Sequence, residues 1–225
     1  MNGIKIISMG VEIECGMSDI AFRQLQKDFS DEKRFSLGRD RSVFVDGTTY
    51  CNFEIRFWSN RMKDIYDFIR YIWSLGIKQN VTCGNHVHIH VTGWELLTWD
   101  FQQYLVNRYI EHFRGIEKYL SRLTNRYCNY LDCLMNKGLS ANVTIEQLRS
   151  CTHQRYRPVN FCPIYRPEKT FEIRLFPYFA SSTEHIRAIQ WLRKTIKEFT
   201  PTPEDHFYNF PLQKQKDTEA ITILQ

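Results

Sequence analysis

Four short segments alternate polar and apolar residues one by one: Val11-Glu12-Ile13-Glu14, Phe53-Glu54-Ile55-Arg56-Phe57, His86-Val87-His88-Ile89-His90 and Phe171-Glu172-Ile173-Arg174-Leu175. Side chains alternate across a β-strand, so each segment predicts a strand with charged or imidazole groups on one face and an apolar opposite face. Longer spacings predict helices. Ile65, Phe68, Ile69, Ile72 and Trp73 recur at helical intervals within 61–75, and Gly76 follows as a stop. Asp19 to Lys27 suits a short helix and Trp94 to Arg122 a long one; Ser181-x-x-Glu184 opens an amphipathic helix running to Phe199.

Between these lie the connections. Residues 4–15 predict the first strand. Ser42 to Val45, the Asp46-Gly47 turn and Thr48 to Phe57 predict a hairpin. Residues 85–91 form the histidine strand, while Val159 to Tyr165 and Thr170 to Phe176 predict a strand pair. The stretch 124–155 is less regular, with capping-box spacing from Thr144 to Gln147 opening a short helix. The expected architecture is an α+β domain over 1–199, a mostly antiparallel curved sheet with helices on its apolar face. The other face is expected to stay open as a groove, and a polar, proline-bearing C-terminal tail occupies 200–225.

Composition narrows the classes. A chain of 225 residues with 43% hydrophobic content supports one good core. The net charge of +5 is spread without a Lys/Arg run or an RNA-binding aromatic motif, which argues against nucleic acid as a partner. Seven cysteines, an odd number, come without a signal-peptide pattern, and no apolar run is long enough to cross a bilayer. A cytoplasmic protein with free thiols and no membrane partner is expected.

The four strands would gather four glutamates, three histidines and two arginines on one surface. Such a face repels itself unless a cation sits among the acids or the arginines pair with them. Glu12, Glu14, Glu54 and Glu172 offer the hard oxygens that magnesium takes, and Arg56 and Arg174 each stand two residues beyond a glutamate, beside it on the face. Carboxylates, a divalent ion and arginines are the parts phosphoryl transfer needs. Any one Glu-x-Glu or Glu-x-Arg is more often a solvated face; four co-oriented strands carry the reading. Cys83-Gly84-Asn85-His86-Val87-His88 also reads as a zinc site, although no second Cys or His pair follows at finger spacing. A Cys83 nucleophile with a histidine base lacks a third partner.

In order along the chain, Gly10-Val11-Glu12-Ile13-Glu14, Asp40-Arg41-Ser42, the Glu54 strand, Cys83-Gly84-Asn85-His86-Val87-His88-Ile89, Arg157-Pro158-Val159-Asn160 and Thr170-Phe171-Glu172-Ile173-Arg174 resemble the amidoligase family. That family belongs to the carboxylate–amine ligase superfamily, with a glutamine-synthetase-like catalytic fold. The resemblance spans Gly10 to Phe199, and the basic stretch from Arg122 to Cys128 also fits it. It implies ATP-dependent ligation, in which a carboxylate is phosphorylated to an acyl phosphate and an amine displaces the phosphate. The partners are then a carboxylate and an amine, whether small molecule, peptide or protein.

By that resemblance Glu12, Glu14, Glu54, His86 and Glu172 hold Mg²⁺, one ion or more, or Mn²⁺. Arg174 neutralises the γ-phosphate, His88 meets the nucleotide or the acyl phosphate, Asn160 is counted with the nucleotide, and Arg157 is a second phosphate or carboxylate clamp beside Arg56, whose place next to Glu54 already suits that role. Asp40 and Ser42 lie in a motif without an assigned role. An isosteric Glu172→Gln change on an open face is expected to remove activity and leave the fold intact. Two departures are visible: no glycine stands just ahead of Glu54, and Leu175 to Ser182 lacks an expected Gly-Thr. Rival readings of the same residues are a phosphotransferase of the same fold, a non-catalytic nucleotide- or metal-binding module, and a zinc hydrolase using His86 and His88.

Overall fold

Alternation along the chain becomes a sheet in the computed structural model, which describes residues 4–92, 99–123, 128, 157–161, 163 and 170–199. The elements are β1 (Lys5–Met17), α1 (Asp19–Asp28), β2 (Phe35–Arg39), β3 (Tyr50–Ser59), α2 (Met62–Ser74) and β4 (Asn85–Thr92). They continue with α3 (Trp99–His112), α4 (Glu117–Arg122), β5 (Val159–Asn160), β6 (Thr170–Phe176) and α5 (Ser182–Glu198). The six strands form one sheet in the order β2-β3-β1-β4-β6-β5, with every pair antiparallel. The chain is therefore α+β, as its pattern suggests.

Register puts the chemistry on one side. Glu12 stands opposite Arg56 on β3 and opposite His86 on β4; Glu14 faces Glu54, and His88 faces Glu172. The intervening Val11, Ile13, Ile55, Phe57, Val87, Ile89 and Ile173 share one core with Ile65, Phe68, Ile69 and Ile72 of α2, and with Ile189, Leu192 and Ile196 of α5. Each such side chain contributes roughly 1.5–3 kcal/mol by leaving water. The Ser181 cap obeys its sequence signal, Ser181 Oγ accepting from Glu184 N at 3.2 Å, and Ser18 Oγ caps α1 in the same way, accepting from Ala21 N at 3.2 Å.

Three expectations change. Ser42 to Val45 is not the strand that pairs with Thr48 to Phe57; the partner of β3 is β2, with Phe35 opposite Phe57 and Arg39 opposite Phe53. The alternation around Val43 is real, since Val43 and Val45 are buried with Cys83 while Phe44 is exposed. Side chains, however, satisfy this backbone: Phe44 N donates to Thr82 Oγ1 at 2.9 Å, and Asn80 Nδ2 donates to Phe44 O at 2.7 Å. The loop also presses on β1, where a Cβ on Gly16 would stand 2.4 Å from Thr48 Oγ1.

The long helix breaks in two. Gly115 takes a left-handed φ of +80° and reverses the chain between α3 and α4, a conformation glycine adopts without strain. Tyr109 Oη lies 2.7 Å from Leu175 O and 3.0 Å from Tyr119 O, tying α4 to β6. Strand β5 covers Val159–Asn160 and ends before Phe161, while 162, 164 and 165 of the expected strand lie outside the described residues. The short helix expected at Thr144 to Gln147, the rest of 124–155 apart from Cys128, and the tail 200–225 lie outside the described residues. Among the described residues no helix is long and apolar enough to cross a membrane.

Candidate metal centre

The sheet brings the five expected ligands together. His86 Nδ1 lies 2.8 Å from Glu12 Oε1 and 3.2 Å from Glu172 Oε1, and His86 Nε2 lies 3.6 Å from Glu14 Oε1. Two groups of donor atoms result, each with all its atoms within 4.8 Å of one another: Glu12–His86–Glu172 and Glu12–Glu14–Glu54. Glu12 belongs to both. The Nδ1 contacts are direct hydrogen-bond distances, and the same atoms would be neighbours on one octahedral ion, whose donors stand roughly 3 Å apart. Oxygen-rich donors with one imidazole suit Mg²⁺ or Mn²⁺ better than zinc. Cys83 belongs to neither group; it is buried with Val43 and Val45, and burial pushes its thiol up to about 11, against nucleophilic use.

Arginines balance the acids. Arg56 Nε donates to Glu12 Oε2 at 2.9 Å and its Nη2 pairs with Glu54, so one guanidinium bridges both carboxylates. Arg174 Nη1 pairs with Glu172 and lies 3.4 Å from His86 Nδ1. Asn160 Nδ2 donates to Glu172 Oε2 at 2.7 Å, and His88 Nε2 lies 3.3 Å from Glu12 Oε2. Asn160 therefore steadies a carboxylate of the cluster. Arg157 is buried just ahead of β5.

The surroundings push these protons apart. Burial, and then the neighbouring Glu12, raises Glu54 to about 9. Burial would raise Glu12 too, but hydrogen bonds from His86 and His88 win and hold it well below the usual carboxylate range. Burial is likewise outweighed at Glu172, held at about 2 by His86 and Arg174. His86 is lowered by burial and by Arg174, yet Glu12 and Glu172 carry it up to about 9. Burial raises Glu14, with the charge of Asp40 adding to it. Burial and close charge partners thus push neighbouring carboxylates to opposite sides of the normal range, as they do both at functional sites and in structural ion-pair networks.

The face is not the open groove the alternation suggested. His86 is 2% exposed, and Glu12, Glu14, Glu54 and Glu172 are all buried. Among the described residues its outer edge meets solvent at Arg56 and His88, whose side chains are 56% and 28% exposed, and at Trp58. One reason is Arg122, at the end of α4, whose Nη2 lies 3.3 Å from His86 Nε2 and whose Nε donates to Arg174 O at 3.1 Å. Arg122 opens the basic stretch noted in the sequence, but nothing in that position points to His86, because a basic residue ending a helix usually just meets the helix dipole and solvent.

The remaining motif, Asp40 to Ser42, makes a turn: Asp40 Oδ1 accepts from Ser42 N at 2.8 Å and from Ser42 Oγ at 2.6 Å. A pocket of about 450 Å³ lies off this face, lined by Phe22, Leu37, Arg39, Tyr50 and Phe53 beside the edge strand β2. It does not contain the acid cluster. No protein-family model, curated protein or solved structure matches this chain.

Proposed function

We propose that this protein is an ATP-dependent carboxylate–amine ligase of the amidoligase type, built on a glutamine-synthetase-like catalytic fold. The observation that carries the reading is Glu12, shared by two donor groups and flanked by Arg56 and His88 where the cluster meets solvent. A bound Mg²⁺ or Mn²⁺ would draw off the negative charge of the nucleotide phosphates.

The chain's own residues supply the rest. Arg56, half-exposed and anchored by Glu12 and Glu54, is placed to hold a phosphate or carboxylate oxygen at the mouth. Arg174, held by Glu172, adds buried positive charge behind it, and His88 offers an imidazole between Glu12 Oε2 and Thr170 Oγ1. Trp58, 54% exposed, lies one same-face step beyond Arg56 and opposite Gly10, so no side chain intervenes between it and His88 across β1. That strip suits a nucleobase stacked on the indole.

In the proposed reaction a carboxylate oxygen attacks the γ-phosphorus and the bond to the ADP oxygen breaks, giving an acyl phosphate. The amine nitrogen then attacks the acyl carbon, phosphate leaves, and the amine loses a proton. A product assay tests this: ADP and phosphate should form from Mg-ATP only when both a carboxylate and an amine are supplied, with an amide seen by mass spectrometry. ADP with a stable phosphorylated product would make the protein a phosphotransferase instead.

A further inference from the structure

The end of α4 and the start of β4 meet in a notch made by a missing side chain. Gly84 is not among the glycines with left-handed φ, so what it supplies is room. A Cβ there would stand 2.4 Å from Arg122 Nη2, 3.1 Å from Arg122 Cζ and 3.0 Å from His86 Nε2. The guanidinium entering this notch is 5% exposed. Its backing is rigid, because Tyr109 fixes α4 against β6 and Arg122 Nε is bonded to the β6 carbonyl of Arg174.

His86 is thereby gripped at both ring nitrogens. Nδ1 faces Glu12 Oε1 and Glu172 Oε1 at 2.8 and 3.2 Å, and Nε2 faces Arg122 Nη2 at 3.3 Å. A half-turn about the outer torsion of the side chain would carry Nδ1 away from both carboxylates, and that torsion is intrinsically broad. Burying another guanidinium beside Arg174 is costly, and an apolar residue would fill the same volume without that cost. Its rigid fork, unlike an apolar side chain, can address a carbonyl and an imidazole together.

We infer that Arg122 is a positioning residue that locks the His86 ring with Nδ1 between Glu12 and Glu172, and that position 84 is glycine to admit it. A guanidinium only donates, so Arg122 meets Nε2 as an acceptor and the ring proton lies on Nδ1, toward the two carboxylates of the metal-free protein.

The test uses Gly84→Ala, Arg122→Ala, the double variant and the milder Arg122→Gln. Long-range ¹H–¹⁵N spectra should show the His86 ring signals moving in all four, while those of His185, buried against Phe179, stay in place. Gly84→Ala should lower the melting temperature clearly in the wild-type background and much less in the Arg122→Ala background, where the struck guanidinium is gone. Additive melting losses or an unmoved His86 signal in Arg122→Gln would overturn the inference.

Discussion

Glu12 and Glu54 are bridged by a single guanidinium, that of Arg56, yet they hold protons with opposite strength. Glu54 is raised to about 9 and Glu12 lies well below the normal range. His86 is raised as well, by Glu12 and Glu172 at Nδ1, so a proton on Nδ1 stands where a cation would bind. A cation entering either donor group must displace protons from Glu54 or His86. Calorimetric titration of Mn²⁺ in buffers of different ionisation enthalpy should report proton release at pH 7. Affinity should rise with pH and level off only above about 9, where Glu54 is already half deprotonated unaided. A heat independent of buffer would contradict this.

Glu172→Gln should destabilise the metal-free protein as well as inactivate it. The open-face expectation fails because Glu172 is 5% exposed and sits among Arg174, Asn160 and His86. Removing one charge from such a buried pair costs about 3 kcal/mol or more. In a chain of this size that lowers the melting temperature by roughly 6–12 °C. A melting temperature within a degree or two of wild type would restore the open-face view.

Trp58→Ala should weaken binding of a non-hydrolysable ATP analogue while leaving Mn²⁺ affinity unchanged. Base-on-indole stacking is worth about 1–3 kcal/mol, or roughly 5- to 150-fold in Kd. Trp58 is largely exposed, so its loss should move the melting temperature little. Unchanged nucleotide affinity would remove Trp58 from the site.

Acid should destabilise the fold through His185. Burial pushes this imidazole down to about 3, while its Nδ1 faces Trp73 Nε1 at 3.5 Å and its ring stacks on Phe179. An unfolded histidine titrates near 6.5, so between there and about pH 3 the unfolded chain binds a proton that the folded one refuses. Stability therefore falls as pH drops through that window, by up to about 1.4 kcal/mol per pH unit from this group. Urea denaturation of His185→Phe should show that slope reduced by one proton; an identical slope would clear His185.

Much of this was legible from residue order alone. The strict two-residue alternation of Glu12, Glu14, Glu54, His86 and Glu172 forces them to one face wherever strands pair, and pairing did the rest. Helices α1, α2 and α5 announced themselves by cap and apolar spacing. What could not be read depends on contacts distant in sequence. Phe35–Arg39 looks no more strand-like than Ser42–Val45, and Thr82 and Asn80 decide between them by taking the backbone bonds of Phe44. Arg122 looks like an ordinary helix end until Gly84 leaves it room. Burial of the acid face is likewise a tertiary property, set partly by that guanidinium.

The most direct measurement is calorimetric titration of a non-hydrolysable ATP analogue into metal-stripped protein, with and without Mg²⁺. Binding should require Mg²⁺ and be lost in Glu12→Gln, because Glu12 serves both donor groups. Absence of binding in both conditions, or binding indifferent to Mg²⁺ and to Glu12, would contradict a nucleotide–metal centre on this face.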